Sequence, residues 1–480
     1  MDKFTKIGAT IGPSCDKVPV LLKMIKSGMD FARLNMSHGT YESHGQLIEN
    51  IRIAEKKSNY TVNIMMDLRG PRIRLGTLPE DGVILEEKKE YIFEIGEHIK
   101  NKNVIPILAP NELISYLKIK DRILINDGKS SVEIVEIKKN LLKARITEGG
   151  KITSNKGLNF PDSELKIDAL SDKDKQDVEF GLQHGVDTFA LSFVSRAQDV
   201  LDLKFFIKQK MQELHLTHEP IVNIISKIER KQAVLNIDEI IDVSDGVMVA
   251  RGDLGLEMEQ EKVPLTQKII IDKANKSAKP VIVATQMLNS MEQYSRPSRA
   301  EVSDVANAVI DHADALLLTN ETAVGKYPVL TVSTMTKIIK STEDSVFDDK
   351  DLPIFNHKNK EIGIAISSLS RILAEEVGAK LILAASISGE TGRLISHVRP
   401  SLPILVATNT DRVKRQLNLS WGVIPFVLPS CDSIEELIER SMNYIKKEKI
   451  AKKGELMIVV AGEPVGQAGH VNLVEVREMK

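Results

Sequence analysis

Eight short apolar runs recur along this chain, each passing into a helical pattern: Lys6–Thr10, Phe31–Asn35, Val62–Asp67, Thr188–Ser192, Val222–Lys227, Gly246–Ala250, Val281–Thr285 and Ala315–Leu318. None is broken by polar alternation, as expected of parallel strands buried on both faces. The pattern between the second and third runs places Leu47, Ile48, Ile51 and Ala54 on one helical stripe. Eight strand–helix units predict a closed (β/α)8 TIM barrel. Segments 1–70 and 170–342 together hold 243 residues, close to the roughly 250 typical of that architecture.

The rest of the 480 residues exceeds what a single core accommodates, since cores stop growing at roughly 250–300 residues. Segment 71–169 interrupts the third unit and reads as β structure, with RILIN and SVEIVEI flanking the hairpin signal Asn126-Asp127-Gly128. It predicts a small β-barrel domain inserted after the third strand, as a lid over the reactive end of the larger barrel. Segment 343–480 restarts the alternation with strand patterns at 381–386, 403–408, 423–428 and 456–461. Between the last two, Ile434, Leu437, Ile438, Met442 and Ile445 recur at helical spacing. This predicts a separate C-terminal α/β domain.

Composition excludes several function classes. A net charge of −2 argues against nucleic acid or a membrane surface as partner. No apolar run approaches the roughly 18–20 residues that span a bilayer, and the N-terminal segment lacks a signal-peptide core. Two cysteines, Cys15 and Cys431, form neither a disulfide framework nor a metal-ligand spacing. A cytoplasmic protein is expected.

In a TIM barrel the reactive residues come from the C-terminal strand ends. Here those ends supply Arg33 and Asn35, Asp67, Ser192, Lys227 with Glu229, Arg251 with Asp253, Thr285, and Thr319 with Glu321. Converging on one mouth, they offer cations for a phosphate and carboxylates for a metal. Lys227 and Glu229, two apart, project to the same side of a strand. The plainer reading pairs each carboxylate with a neighbouring cation and lets the lysine snorkel to solvent. The sequence has no G-x-x-x-x-G-K-[ST] loop and no G-x-G-x-x-G. Phosphoryl transfer on this chain therefore calls for side-chain cations and Mg²⁺.

Several segments together resemble the pyruvate kinase family: FARLNMSHGT (31–40), NKGLNFP (155–161), IISKIERKQAV (224–234), SDGVMVARGDLGLE (244–257), VIVATQMLNSM (281–291) and RPSRAEVSDVANAV (296–309). The resemblance implies Mg²⁺-dependent phosphoryl transfer from phosphoenolpyruvate to ADP, with Mn²⁺ able to substitute. By the same resemblance Glu229 and Asp253 are the Mg²⁺ ligands, and Arg33 and Lys227 serve phosphate binding and transfer. Gly252, Asp253 and Thr285 hold the substrate, while His38, Arg74 and Lys156 contact the ADP/ATP nucleotide. A homotetramer is the family's usual assembly.

The chain also departs from the family pattern. Potassium-dependent relatives read D-T-K-G-P-E-I-R-T-G where Asp67–Gly76 reads D-L-R-G-P-R-I-R-L-G. Leu68 and Leu75 replace threonines and Arg72 replaces the glutamate, so the segment resembles the potassium-independent branch. The expectation is that the Arg72 guanidinium supplies the charge of K⁺ and that K⁺ is dispensable, although Asn35, Ser37 and Asp67 retain the K⁺-site pattern. Asn320 stands where the family commonly has glycine; it adds bulk beside the pocket and is a residue type that tolerates a left-handed backbone, so catalysis is expected to be retained with somewhat altered kinetics. Ser386, Ser388 and Thr391 follow a strand where the family holds effectors; a sugar phosphate or nucleotide there competes with a plain strand-to-helix turn. Two other functions share parts of this pattern: a regulatory paralogue with an impaired site, and a Mg²⁺-dependent C–C lyase stabilising an enolate.

Overall fold

The computed structural model describes residues 3–96, 104–165, 167–348, 362–462 and 471–480. Eight parallel strands close a barrel: β1 (Lys6–Thr10), β2 (Phe31–Asn35), β3 (Asn63–Asp67), β4 (Thr188–Leu191), β5 (Asn223–Ile228), β6 (Gly246–Ala250), β7 (Val281–Ala284) and β8 (Ala315–Leu318). Each neighbours the next in chain order, and β1 closes on β8 with Lys6 opposite Ala315. The eight sequence runs fall on these strands within one residue at each end.

The barrel interior is a packed core. Phe31, Met65, Ala190, Ile225, Met248, Ile282 and Leu317 form one buried cluster inside it. Gly8 is required there, because a Cβ on it would lie 2.1 Å from the Phe31 ring. Outside, the helix Tyr41–Ser58 buries Ile48, Ile51 and Ala54 against the sheet, with Leu47 half-buried. Its N-terminus carries a capping box between Thr40 and Ser43.

The insertion after β3 folds as a seven-stranded sheet running from Arg74–Leu75 to Leu158–Asn159. An isolated bridge between Arg74 and Gly157, the residue before the last strand, draws the two edges of the sheet together. The antiparallel strands Arg122–Ile125 and Ser130–Lys138 turn at Asn126, Asp127 and Gly128, all at positive φ. Phe93, Ile107, Ile123, Val132 and Leu142 fill its separate core.

The C-terminal sheet orders as Val423–Val427, Ile404–Thr408, Leu381–Ala385, Leu456–Ala461 and Leu473–Glu478. The first four are parallel and match the sequence reading. The fifth, an antiparallel edge strand, was not anticipated, because its alternation of valines with Glu475 and Arg477 lacks an apolar run. This domain packs on the starts of the barrel strands. Asn418 Nδ2 donates to the carbonyls of Asp30 (2.6 Å) and Thr61 (2.8 Å). Arg399 pairs with Asp314 at 3.1 Å, and Leu419 joins the barrel-interior cluster. The opposite face, where the strands end, is left to the inserted domain.

Candidate active site

At the C-terminal strand ends, Asp67 closes β3 with a fully buried carboxylate. Its Oδ2 accepts from Arg33 Nε at 2.7 Å and pairs with Nη2 at 2.6 Å. Its Oδ1 lies 3.2 Å from Lys227 Nζ. Burial alone would raise this carboxyl, but Lys227 and Arg33 outweigh it and hold the group below the usual carboxylate range. Lys227 also donates to Ser192 Oγ at 2.8 Å and pairs with Glu229 Oε1 at 2.7 Å. Burial works against its charge, yet Asp67 and Glu229 raise it above the ordinary lysine value. The lysine is thus a fixed, buried ammonium.

Glu229 Oε2 accepts from the Phe193 backbone N–H at 2.8 Å. Phe193 can aim that N–H because it sits at φ 58°, a conformation the sequence did not signal. Burial raises the Glu229 carboxyl; Lys227 opposes this and Asp253 adds to it. The carboxylates of Glu229 and Asp253 therefore repel across the mouth. Among the described residues, that of Asp253 has no ion-pair partner within 4.0 Å.

On the far wall, Gly252 N–H donates to Thr285 Oγ1 at 2.9 Å. The hydroxyl proton of Thr285 is left for an outside acceptor, whereas the Gly252 N–H, expected to meet the substrate, is engaged within the protein. Thr285 (φ 75°) and Gln286 (φ 54°) are consecutive non-glycine residues in the left-handed region. For a β-branched residue this is a strained conformation, costing on the order of 1–3 kcal/mol. Arg251 holds it: Nη2 donates to the Thr285 carbonyl at 2.7 Å while Nη1 pairs with Asp304 at 2.7 Å. Arg251 is thereby a strut beneath the loop.

Thr319 and Glu321 are also engaged inside the protein. Glu321 is fully buried and accepts from Thr319 N (2.7 Å), Thr319 Oγ1 (3.0 Å) and Leu288 N (3.1 Å). Asn320 is exposed and opens the short helix Asn320–Ala323. It is absent from the positive-φ residues, so the left-handed backbone that asparagine tolerates is not used; the helical turn after Thr319 absorbs the residue without it.

Arg72 lies away from Asp67. Its Nη2 donates to Asp127 Oδ1 at 2.9 Å in the inserted hairpin, and its side chain lies on Gly157, where a Cβ would meet Nε at 2.7 Å. Arg72 thus ties the inserted domain to its own exit segment, and Arg33 and Lys227 supply the positive charge at Asp67. Within the K⁺-pattern residues, Asn35 Oδ1 accepts from Ser37 N at 3.1 Å, and Leu68 is buried. Arg74 donates to the Asn155 carbonyl at 3.1 Å, and the carbonyl of Lys156 accepts from Leu75 N at 2.8 Å. Burial and the neighbouring Arg69 and Arg72 lower the Arg74 value. This cationic cluster adds Arg69, which the sequence reading missed. His38 is exposed on the loop after β2, where its carbonyl bonds His44 Nε2 at 2.7 Å.

Ser386, Ser388 and Thr391 stay in the C-terminal domain. Ser386 Oγ accepts from Thr391 N at 3.3 Å and Ser388 Oγ from Glu390 N at 3.4 Å. These bonds are those of a strand-to-helix turn leading into Glu390–His397.

A TIM barrel with a β lid after its third strand, and with cations and carboxylates interleaved at its mouth, is built as a barrel phosphotransferase. The chain matches the family models described as pyruvate kinase, barrel domain, over residues 2–332 and pyruvate kinase, alpha/beta domain, over 364–477. It is 38% identical over 483 residues to a pyruvate kinase of Geobacillus stearothermophilus, covering 99% of this chain and 80% of that one. A pyruvate kinase of Thermotoga maritima is 38% identical over 477 residues, with 99% of each covered. A crystal structure of a pyruvate kinase from Cryptosporidium parvum superposes with TM-score 0.92 at 35% identity, over 100% of this chain and 97% of that one. The chain belongs to the pyruvate kinase family and is a phosphotransferase. Among the described residues no helix is long and apolar enough to cross a membrane.

Proposed function

We propose that this chain transfers the phosphoryl group of phosphoenolpyruvate to ADP at the barrel mouth, giving ATP and pyruvate. The observation that carries the reading is the buried chain Arg33–Asp67–Lys227–Glu229, linked by contacts of 2.6–3.2 Å. Arg33, oriented by Asp67 through Nε and Nη2 and by Thr10 through Nη1, turns its remaining N–H groups to the substrate phosphate. Lys227 stands beside the transferring group, and its ammonium offsets charge that develops on the phosphoryl oxygens and the enolate oxygen. The substrate carboxylate lies against Gly252, Asp253 and Thr285, with the free hydroxyl proton of Thr285 as donor. His38, Arg74 and Lys156 meet the nucleotide phosphates. The inserted domain, closing over them, excludes water and so suppresses hydrolysis.

Glu229 and Asp253 fit Mg²⁺, which takes one or two protein carboxylates and completes its shell with substrate oxygens and water. Their mutual repulsion, and the absence of a cation on Asp253 among the described residues, are what a divalent ion would relieve. Bound there, Mg²⁺ supplies charge neutralisation on the phosphoryl oxygens; Mn²⁺ fills the same role.

For this reading we divide the chain into a catalytic barrel (1–70 and 170–342), an inserted lid (71–169) and a C-terminal domain (343–480). The protein works as a cytoplasmic homotetramer, with Ser386, Ser388 and Thr391 marking an effector loop for a sugar phosphate or nucleotide. K⁺ is dispensable, because Arg33 and Lys227 already supply positive charge at Asp67, in the region of Asn35, Ser37 and Leu68, while Arg72 is committed to Asp127. The test is pyruvate formation from phosphoenolpyruvate and ADP in buffer whose only monovalent cation is tetramethylammonium. Activity is expected to appear on adding Mg²⁺ and to change less than about twofold on adding K⁺. An absolute K⁺ requirement would remove the substitution argument, and no pyruvate under any cation would remove the reaction itself.

A further inference from the structure

The phosphoryl-transfer reading leaves unused a cavity of about 210 Å³. It lies where the chain crosses between barrel and inserted domain. Pro71–Ile73 on the outward crossing and Leu158–Leu165 on the return form one wall. Phe193, Ser195, Arg230 and Leu235 form the barrel side, joined by Glu257.

Six charged side chains line it. Arg72 is neutralised by Asp127 and Asp162 by Arg122, and Glu164 and Lys231 are exposed to solvent. Arg230 and Glu257 are half-buried and not neutralised. Arg230 lies over the Phe193 ring at 5.4 Å and donates to Ser195 Oγ at 3.3 Å. Glu257 Oε1 accepts from Asn159 Nδ2 at 3.3 Å. Among the described residues neither has an ion-pair partner within 4.0 Å. Each exerts the leading electrostatic attraction on the other, yet they stand too far apart to pair. Phe160, Pro161 and Leu235 contribute apolar surface to a lining that also holds Asn159, Ser163 and Gln232.

Half-buried opposite charges that do not meet call for a ligand carrying both complements. A simple carboxylate would satisfy Arg230 and repel Glu257; a simple amine would do the reverse. The volume is below the roughly 300–1,000 Å³ typical of sites for drug-sized ligands, so the ligand is small. We propose that this cavity is a second binding site, taking a small zwitterion of the amino-acid type with its carboxylate on Arg230, its ammonium on Glu257 and an apolar side chain against Phe160 and Leu235. Because the site touches both crossings, its ligand bears directly on the angle of the inserted domain.

The experiment is calorimetric titration of the full chain with L-leucine, and with the half-ligands 4-methylpentanoate and 3-methylbutylamine. L-leucine is expected to bind saturably, with each half-ligand at least tenfold weaker. Glu257→Gln, nearly isosteric, should weaken L-leucine at least tenfold while leaving 4-methylpentanoate unaffected or tighter. Arg230→Gln should weaken both. Unchanged melting curves for the two variants would assign these losses to the site itself. The proposal is overturned if L-leucine gives no saturable heat, if both variants bind it as the native chain does, or if 4-methylpentanoate binds as tightly as L-leucine.

Discussion

Asp67 sets the charge state of the mouth. Buried and bonded to both Arg33 and Lys227, it fixes two cations that would otherwise repel each other. Losing one partner of such a buried set costs about 3–5 kcal/mol, because the remaining charges stay out of water. Arg251 acts at one remove, through the Thr285 carbonyl. Lysine in its place cannot reach Asp304 and the loop together, since it lacks the planar fork. Arg251→Lys is expected to lower kcat about 10–100-fold, with KM for phosphoenolpyruvate changing far less, because a misplaced loop disturbs the reacting geometry. Steady-state kinetics check this, and an unchanged kcat would assign Arg251 to stability alone. Residues such as Lys227 and Glu229 were legible because a strand's period of two puts them side by side. The Arg251–Asp304 strut was not, since its partners are 53 residues apart and nothing local marks their meeting. The positive φ of Phe193 and Thr285 was equally hidden, as neither residue type favours it.

Among the elements, the eight strands were readable within a residue because burial on both faces leaves an unbroken apolar run. Their packing was not readable, and β1 shows why. Gly8 looks like a weak strand residue until Phe31 is placed against it. Gly8→Ala forces that ring to move and is expected to cost about 1–3 kcal/mol, measurable by denaturant unfolding; a neutral substitution would show that the interior has room to yield. Lys6, at the start of the same strand, is fully buried and donates to the Val423 carbonyl at 2.7 Å. Burial lowers it from 10.5 to about 8, against the smaller pull of Asp30. Between those pH values the unfolded chain binds a proton that the folded chain does not, so stability rises with pH across that window. The cost of burying the charge is fully present below about pH 8. In Lys6→Met that cost is absent at every pH. The stability of the native chain relative to the variant should therefore rise by about 3 kcal/mol between pH 7 and 10.5. A difference that stays flat would mean the ammonium is hydrated in the folded protein.

For the whole molecule, the three bodies divide the two ends of the barrel. The C-terminal domain is bolted to the strand starts through Asn418, Arg399 and Leu419, and the inserted domain stands over the strand ends. The sequence showed three bodies because each restarts its own periodicity. Which end of the barrel the third one covers depended on side-chain contacts spanning hundreds of residues, and no local pattern carries those. The same limit explains Arg72: beside Asp67 in sequence, it is drawn to Asp127 once the inserted hairpin folds back.

If the buried lysine at the end of β5 drives phosphoryl transfer, Lys227→Met removes the group responsible. Pyruvate formation from phosphoenolpyruvate and ADP with Mg²⁺ would be compared between native chain and variant, alongside direct binding of phosphoenolpyruvate. The kcat of the variant is expected to fall about a thousandfold or more with phosphoenolpyruvate still bound. A variant that binds the substrate and turns it over within about tenfold of the native rate would contradict that role, and would reduce Lys227 to a counter-ion for Asp67 and Glu229.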